Sequence, residues 1–218
     1  MQVSATIQRI ALGTLAAVAA LWMMLAPQAF AQEEDERVGQ DAATAHVQTL
    51  AGSALEILRQ EELSLEEREA IFRELLREGF NLEAIGNLVL ARNRLDASPT
   101  ELEEYHRLFS EFVLARYAML MGGYAGENFA ILSATDSGRR DVLIMSRISR
   151  PGGDPLSAAW RVRAYDGAPK IIDVQVENIS MVISQRDEFN AVIQRGGFEA
   201  LLESLRAQTE MLPAEAPS

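Results

Sequence analysis

The sequence contains no cysteine and only two histidines among its 218 residues. The first absence removes disulfides, thiol nucleophiles, zinc–thiolate centres and iron–sulfur clusters together, so the chain must hold itself together by burial. The second leaves little room for imidazole chemistry. His46 and His106 each stand among polar neighbours in helix-patterned segments, and neither belongs to a metal-ligand spacing such as His-Glu-x-x-His. A Gly-x-Ser-x-Gly elbow is missing, and "GGYAG" at 122–126 lacks the lysine that follows a phosphate-binding glycine loop, so it reads as a helix stop. Basic charge is scarce as well: 20 Lys and Arg face 32 Asp and Glu, for a net charge of −12. That balance argues against nucleic acid and anionic bilayer surfaces as electrostatic partners. The acidic clusters "EEDE" and "EELSLEERE" lack the interleaved glycine of a calcium loop and read as solvated tail or helix. Catalytic residues, metal ligands and a cofactor are therefore not expected.

What the chain does have begins with an apolar leader. "IALGTLAAVAALWMMLA" follows Arg9 without a charge and leads into "PQAFAQEEDE", where Ala29-Phe30-Ala31 fits the small-x-small pattern of a signal peptidase site. The pattern predicts cleavage after Ala31 and an exported, soluble mature chain, which for a cysteine-free protein fits a bacterial periplasm. An uncleaved anchor is the alternative, with the run at the short end of a membrane span. The expected organisation is a leader over 1–31, a flexible acidic segment over 32–37, one domain over 38–209 and a disordered tail over 210–218.

Within the domain, residues 38–122 read as mostly helical. Val47, Leu50, Ala54, Leu55 and Leu58 recur at helical spacing between Val38 and Arg59. "SLEE" at 64–67 is a capping box that opens a helix stopping near Gly79. Asn81 caps a short helix, and "SPTE" at 98–101 combines a cap, a first-turn proline and a box glutamate for a helix running to Gly122-Gly123. From about Asn128 the period changes to two. Strands are predicted at 128–135, 140–149, 157–165 and 170–178, separated by "DSG", "RPGGDP" and "DGAP". Connections this short allow only antiparallel neighbours, hence a meander. Two C-terminal helices, Glu188–Arg195 and Phe198–Gln208, flank "GG" at 196–197 within a 179–209 segment.

Alternation places Val142, Ile144, Ile148, Trp160, Val162, Ile172, Val174 and Val176 on one sheet face, and Arg147, Arg161, Arg163, Asp173, Gln175 and Glu177 on the other. The helical stripes must cover the apolar face, but periodicity alone does not separate a filled core from a cavity. Asp173 and Glu177 are the carboxylates nearest to a general-base position, yet alternation turns them to solvent. The arginines Arg139, Arg140, Arg147, Arg150, Arg161 and Arg163 read either as cross-strand partners for Asp and Glu or as a docking surface for an acidic partner or lipid phosphate.

The stretch "SPTELEEYHRLFSEFVLARYAMLMGGYAGENFAIL", and then the order Trp160, Asp173-Val174, Val176-Glu177, Ile179-Ser180-Met181-Val182, Arg186, Glu188-Phe189 and Gly196-Gly197, resembles the MlaC-type periplasmic phospholipid-binding proteins, the toluene-tolerance auxiliary family. The chain departs from the family pattern at Asn93-Arg94, where an aromatic pair is common, at Gln185, where a Tyr is common, and at Asn178, where a Gly is usual. The resemblance implies an α+β fold in which a four-stranded antiparallel curved sheet, a nuclear-transport-factor-2-like cone, packs with helices and an N-terminal helical annex. It further implies no enzymatic step and a bound phospholipid as ligand, shuttled between an MCE-domain subunit of an inner-membrane ABC transporter and an outer-membrane lipoprotein complex, in maintenance of outer-membrane lipid asymmetry. A related branch is associated with hopanoids. The lipid-facing residues are then expected to be Val89, Leu90, Phe109, Phe112, Val113, Tyr117, Leu120, Val142, Ile144, Ile148, Trp160, Val162, Ile172, Val174, Val176, Met181 and Phe189. Two other functions stay open on the sequence: an enzyme of the same fold with Asp173 as base, and a lipid-free envelope adaptor docking through the arginine face.

Overall fold

The computed structural model describes residues 37–60, 62–118 and 126–210. The leader with its cleavage site, residues 32–36 of the acidic segment, Leu120, the Gly122-Gly123 stop and residues 211–218 of the tail lie outside the described residues. Among the described residues, five α-helices and five strands follow in the order α1 (Gln40–Arg59), α2 (Leu65–Gly79), α3 (Leu82–Leu90), a 3-10 turn (Ala91–Leu95), α4 (Pro99–Ala118), β1 (Asn128–Ser137), β2 (Asp141–Ser149), β3 (Leu156–Tyr165), β4 (Ala168–Val176), β5 (Ile179–Ser180) and α5 (Met181–Glu210). Among the described residues, no helix is long and apolar enough to cross a membrane.

The helix starts are set by the residues that the sequence nominates. At α2, the Glu67 amide donates to Ser64 Oγ at 3.2 Å and the Ser64 amide to Glu67 Oε2 at 2.8 Å, a closed capping box. Ser98 and Glu101 repeat the exchange at α4, and Asn81 Oδ1 accepts from the Ala84 amide at 2.8 Å to open α3. Each satisfies amides that the helix itself leaves unpaired. The C-terminal helix starts earlier than expected and breaks where expected. Helix α5 begins at Met181, well before Glu188, because Ser180 Oγ accepts from the Ile183 amide and caps it there. At Gly197, φ of 77° kinks it into the two expected halves.

The sheet is open and antiparallel in the order β1-β2-β3-β4-β5. Four strands are expected from alternation; the fifth is a two-residue strand hydrogen-bonded to β4 through Gln175–Ser180 and Val176–Ile179. A two-residue turn of Glu177 (φ 49°) and Asn178 (φ 66°) makes that reversal possible. Two left-handed residues suit the twist of a tight hairpin, and asparagine is the non-glycine side chain that best tolerates the conformation. The Asp166-Gly167 turn between β3 and β4 has the same form.

A second correction concerns register. Arg161 pairs with Asp173 but Val162 pairs with Ile171, so β4 carries one extra residue, a bulge at Ile172. Strict alternation puts Ile172 beside Val174. In the structure Ile171 takes that place opposite Val162, and Ile172 is buried at the bulge. Beyond it Asp173 is 7% exposed, not turned to solvent.

Two apolar clusters hold the molecule together. A helical cluster joins α3, α4 and α5 through Val89, Leu90, Tyr105, Leu108, Phe109, Phe112, Val182, Phe189, Leu201, Leu202 and Leu205. A sheet cluster packs Val38, Ala43, Val47 and Leu50 of the α1 region onto Val142, Ile144, Val162 and Ile171. The α2–α3 junction ties the helical layer to the edge of β4, since the Asn81 amide donates to the Ile171 carbonyl at 3.1 Å, Phe80 bridges Ile171, and Lys170 Nζ donates to the Glu78 carbonyl.

Candidate functional site

Where the two clusters meet, they leave a hollow of about 320 Å³. Its walls come from both sides: Val89, Phe109, Val113 and Val182 from the helical cluster and its neighbours, Leu50, Leu75, Phe80, Trp160 and Val174 from the sheet cluster and its neighbours. Helices α1 and α2 close it with Ala51, Ala54, Phe72 and Leu76, while Leu82 and Ile85 of α3 and Val176 and Met181 of the β4–α5 corner complete it. Nearly every wall atom is hydrocarbon; Tyr117, Asp173 and Gln185 supply the polar exceptions. An interior normally packs to crystal-like density. A hollow this apolar stays dry and favours an apolar guest.

Positions on the wall follow from the elements. Trp160 stands on β3 with its indole Nε1 donating to Ser146 Oγ at 2.8 Å, and Phe129 meets its ring edge-on at 6.1 Å between centroids. The indole's polar atom is thereby satisfied behind the wall. Asp173 has its two carboxylate oxygens engaged: Oδ2 accepts from Ser180 Oγ at 2.7 Å and Oδ1 from the Val182 amide at 3.2 Å. It anchors the start of α5 to β4. The Tyr117 hydroxyl is pushed above its ordinary pKa by burial and stays neutral.

The predicted lipid-facing residues divide into three groups. Val89, Phe109, Val113, Tyr117, Trp160, Val174, Val176 and Met181 line the hollow. Leu90, Phe112 and Phe189 sit inside the helical cluster, and Val142, Ile144 and Val162 inside the sheet cluster. Ile172 is buried at the bulge, Ile148 is half-buried opposite Phe129 on β1, and Leu120 lies outside the described residues. The contribution of α1 and α2 is absent from the sequence-based set. Phe72, Leu75 and Leu76 do form an apolar stripe on α2, but a stripe does not say whether it meets a neighbour or a void.

His46 and two of the sheet arginines have structural partners. His46 Nε2 lies 2.9 Å from the Gly79 carbonyl at the end of α2. Burial lowers the His106 pKa, with Glu83 opposing, so its ring is held neutral. On the sheet face opposite the sheet cluster, Arg161 and Arg163 converge on Asp141, itself 2% exposed, with Nε contacts of 2.5 and 2.6 Å. Burial works to raise the Asp141 pKa, and the hydrogen bonds from Arg163 and Arg161 outweigh it, leaving the carboxyl below its ordinary range. Cross-strand pairing therefore accounts for these two arginines. Among the described residues, no group of three or more His, Cys, Asp or Glu side chains could hold a metal ion.

Comparison with known proteins agrees with this geometry. The family model described as MlaC protein matches residues 48–207, which takes in every wall element from the middle of α1 to α5. A solved structure of a phospholipid-binding protein from Ralstonia solanacearum, in complex with a phospholipid, superposes with a TM-score of 0.68 at 17% identity, covering 77% of this chain and 97% of that one. At that identity the likeness is one of fold. The match over residues 48–207, with the motif residues from Trp160 to Gly197 within it, places the chain in the MlaC family.

Proposed function

We propose that this protein is a periplasmic phospholipid carrier whose seam between the two clusters shelters acyl chain. The hollow carries the proposal, since a void walled by Val, Leu, Phe and Trp is unfavourable unless something fills it. Membership of the MlaC family and the phospholipid bound by the Ralstonia protein of similar fold support the same guest. Removing a chain of about sixteen carbons from water is worth on the order of 12 kcal/mol at about 0.8 kcal/mol per methylene, so unassisted passage between membranes is prohibitively slow. A dry cavity substitutes for the bilayer interior, and transfer in and out is then close to thermoneutral. Net direction comes from the partners: an MCE-domain subunit of an inner-membrane ABC transporter on one side and an outer-membrane lipoprotein complex on the other, with lipid asymmetry as the outcome. The leader ending at Ala31 delivers the chain to that compartment. No bond is made or broken in this function, in keeping with the use of Asp173 as a helix anchor.

The hollow stands at the lower end of the roughly 300–1,000 Å³ typical of small-ligand pockets. Room for a second chain would come from widening of the seam between the two clusters. Organic extraction of purified protein followed by mass spectrometry is expected to return stoichiometric diacyl lipid. Repeatedly lipid-free protein that also takes up nothing from phosphatidylethanolamine–phosphatidylglycerol vesicles overturns the carrier role; a polycyclic lipid in the extract redirects it to hopanoids.

A further inference from the structure

Helix α3 has a second concave neighbour. Its apolar residues Leu82, Ile85 and Val89 face the hollow, whereas Glu83 and Asn87 border an open cleft of about 560 Å³ that Arg94, Arg163 and Arg186 complete. We infer that this cleft binds a phosphate-bearing anion, recognised by the three guanidinium groups.

Two of the arginines have structural duties, and those duties position them without cancelling their charge. Arg186 donates from Nε and Nη2 to the Leu88 carbonyl at 3.1 and 2.7 Å. Its partner is a dipole at the end of α3, not a carboxylate, and its Nη1 is left over. Arg163 grips Asp141 through Nε and Nη2, but that one negative charge is divided between Arg163 and Arg161, so a full positive charge remains on the group. Arg94 is exposed and, like Arg186, forms no ion pair among the described residues. It stands on the 3-10 turn, which the side-chain bond from Asn93 Nδ2 to Asn190 Oδ1, 2.5 Å long, fastens to α5. Glu83 is the one acidic residue on the wall. Three cations against one carboxylate is the reverse of a chain that carries −12 overall, so the cleft is a local concentration of positive charge. Arg94 offers a whole planar fork to phosphate oxygens, which favours phosphate over a spherical anion such as chloride, while Arg163 and Arg186, with Nε and Nη2 already engaged, contribute charge.

The same chemistry has two sources, free phosphate or the phosphate of a lipid headgroup. The test is a titration of lipid-stripped full chain with inorganic phosphate at fixed ionic strength, followed by calorimetry and by the arginine Nε–H resonances in NMR spectra. Saturable binding is expected, weakened about tenfold by Arg94→Gln and abolished by Arg94→Glu, with Arg147→Gln on the exposed sheet surface as an unaffected control. Neither Arg94 nor Arg147 supports the fold, so both variants remain interpretable. Absence of saturation, an equal loss in Arg147→Gln, or the same shifts on titrating chloride overturns the proposal. Repeating the titration on lipid-loaded protein separates the sources: undiminished phosphate affinity assigns the cleft to free phosphate, and loss of it assigns the cleft to the headgroup. Failure to find lipid in the hollow leaves the phosphate titration unaffected, so the two proposals fail separately.

Discussion

The helical cluster and the sheet cluster solve the same problem with different residues. In the first, aromatic rings interlock: Tyr105 stacks on Phe109 at 5.5 Å, and Phe189 meets Phe109 at 6.2 Å nearly perpendicular. The second is aliphatic and mostly β-branched, with Val142, Ile144, Val162 and Ile171 of the sheet against Val47 of α1. Between them lies the cavity, walled by residues of both.

The sharpest way to break that contrast is to place a charge on either side of it. Val162→Asp buries a carboxylate in the apolar sheet cluster and is expected to cost several kcal/mol or abolish folding, read from urea midpoints. Val174→Asp, on the cavity wall and half-buried, should empty the protein of lipid in mass spectra while its midpoint moves far less. Equal destabilisation by both would mean that the seam is ordinary core.

Charge already exists on the sheet's other face, and there pH is the probe. Because the Asp141 carboxyl is held below its unfolded range, the stability it supplies is present above the ordinary carboxylate range and is lost as pH falls through the folded value. Asp141→Asn should therefore cost about 1–3 kcal/mol near pH 7 and flatten the decline in stability with acidification, measured by urea unfolding across pH.

Two glycines make the smallest and most local comparison. A Cβ at Gly86 would lie 3.1 Å from His106 Nδ1 and 3.2–3.3 Å from the rings of Phe109 and Tyr105, both held in the helical cluster. Gly86→Ala should lose about 1 kcal/mol, overpacking outweighing the helix-propensity gain. A Cβ at Gly79 would meet the Leu50 methyls at 2.5 and 2.8 Å, but Leu50 borders the hollow and can swing into it. Gly79→Ala is expected to leave the thermal midpoint nearly unchanged and to reduce lipid uptake from vesicles.

How much of this was legible in sequence depended on whether the signal was local. Ser64, Asn81 and Ser98 announce their helices because a cap is a short-range hydrogen bond between residues three apart. Strand order follows from turn lengths, as the Asp166-Gly167 hairpin illustrates. Alternation failed at Ile172, since a bulge is created by the pairing partner and nothing within β4 marks it. The burial of Asp173 was missed for the same reason. The hollow was the least legible feature: Phe112 and Val113 are adjacent apolar residues on α4, yet one packs in the cluster and the other borders the void. Only the resemblance to a family pointed to an empty interior, because vacancy is a property of distant surfaces and no single stripe encodes it.

The β1 edge of the sheet carries its own consequence. One edge of the sheet is sealed by β5 and the Phe80 bridge, and the other, β1, is interrupted where Ser133 slips register against β2 and Leu132 protrudes, 53% exposed. Arg37 adds a clamp at its end, bonding Asp136 and the carbonyls of Gly138 and Arg139. A neighbouring copy trying to zip alongside would find the ladder broken midway. The bulge on β1 thus works against edge-to-edge pairing of neighbouring copies.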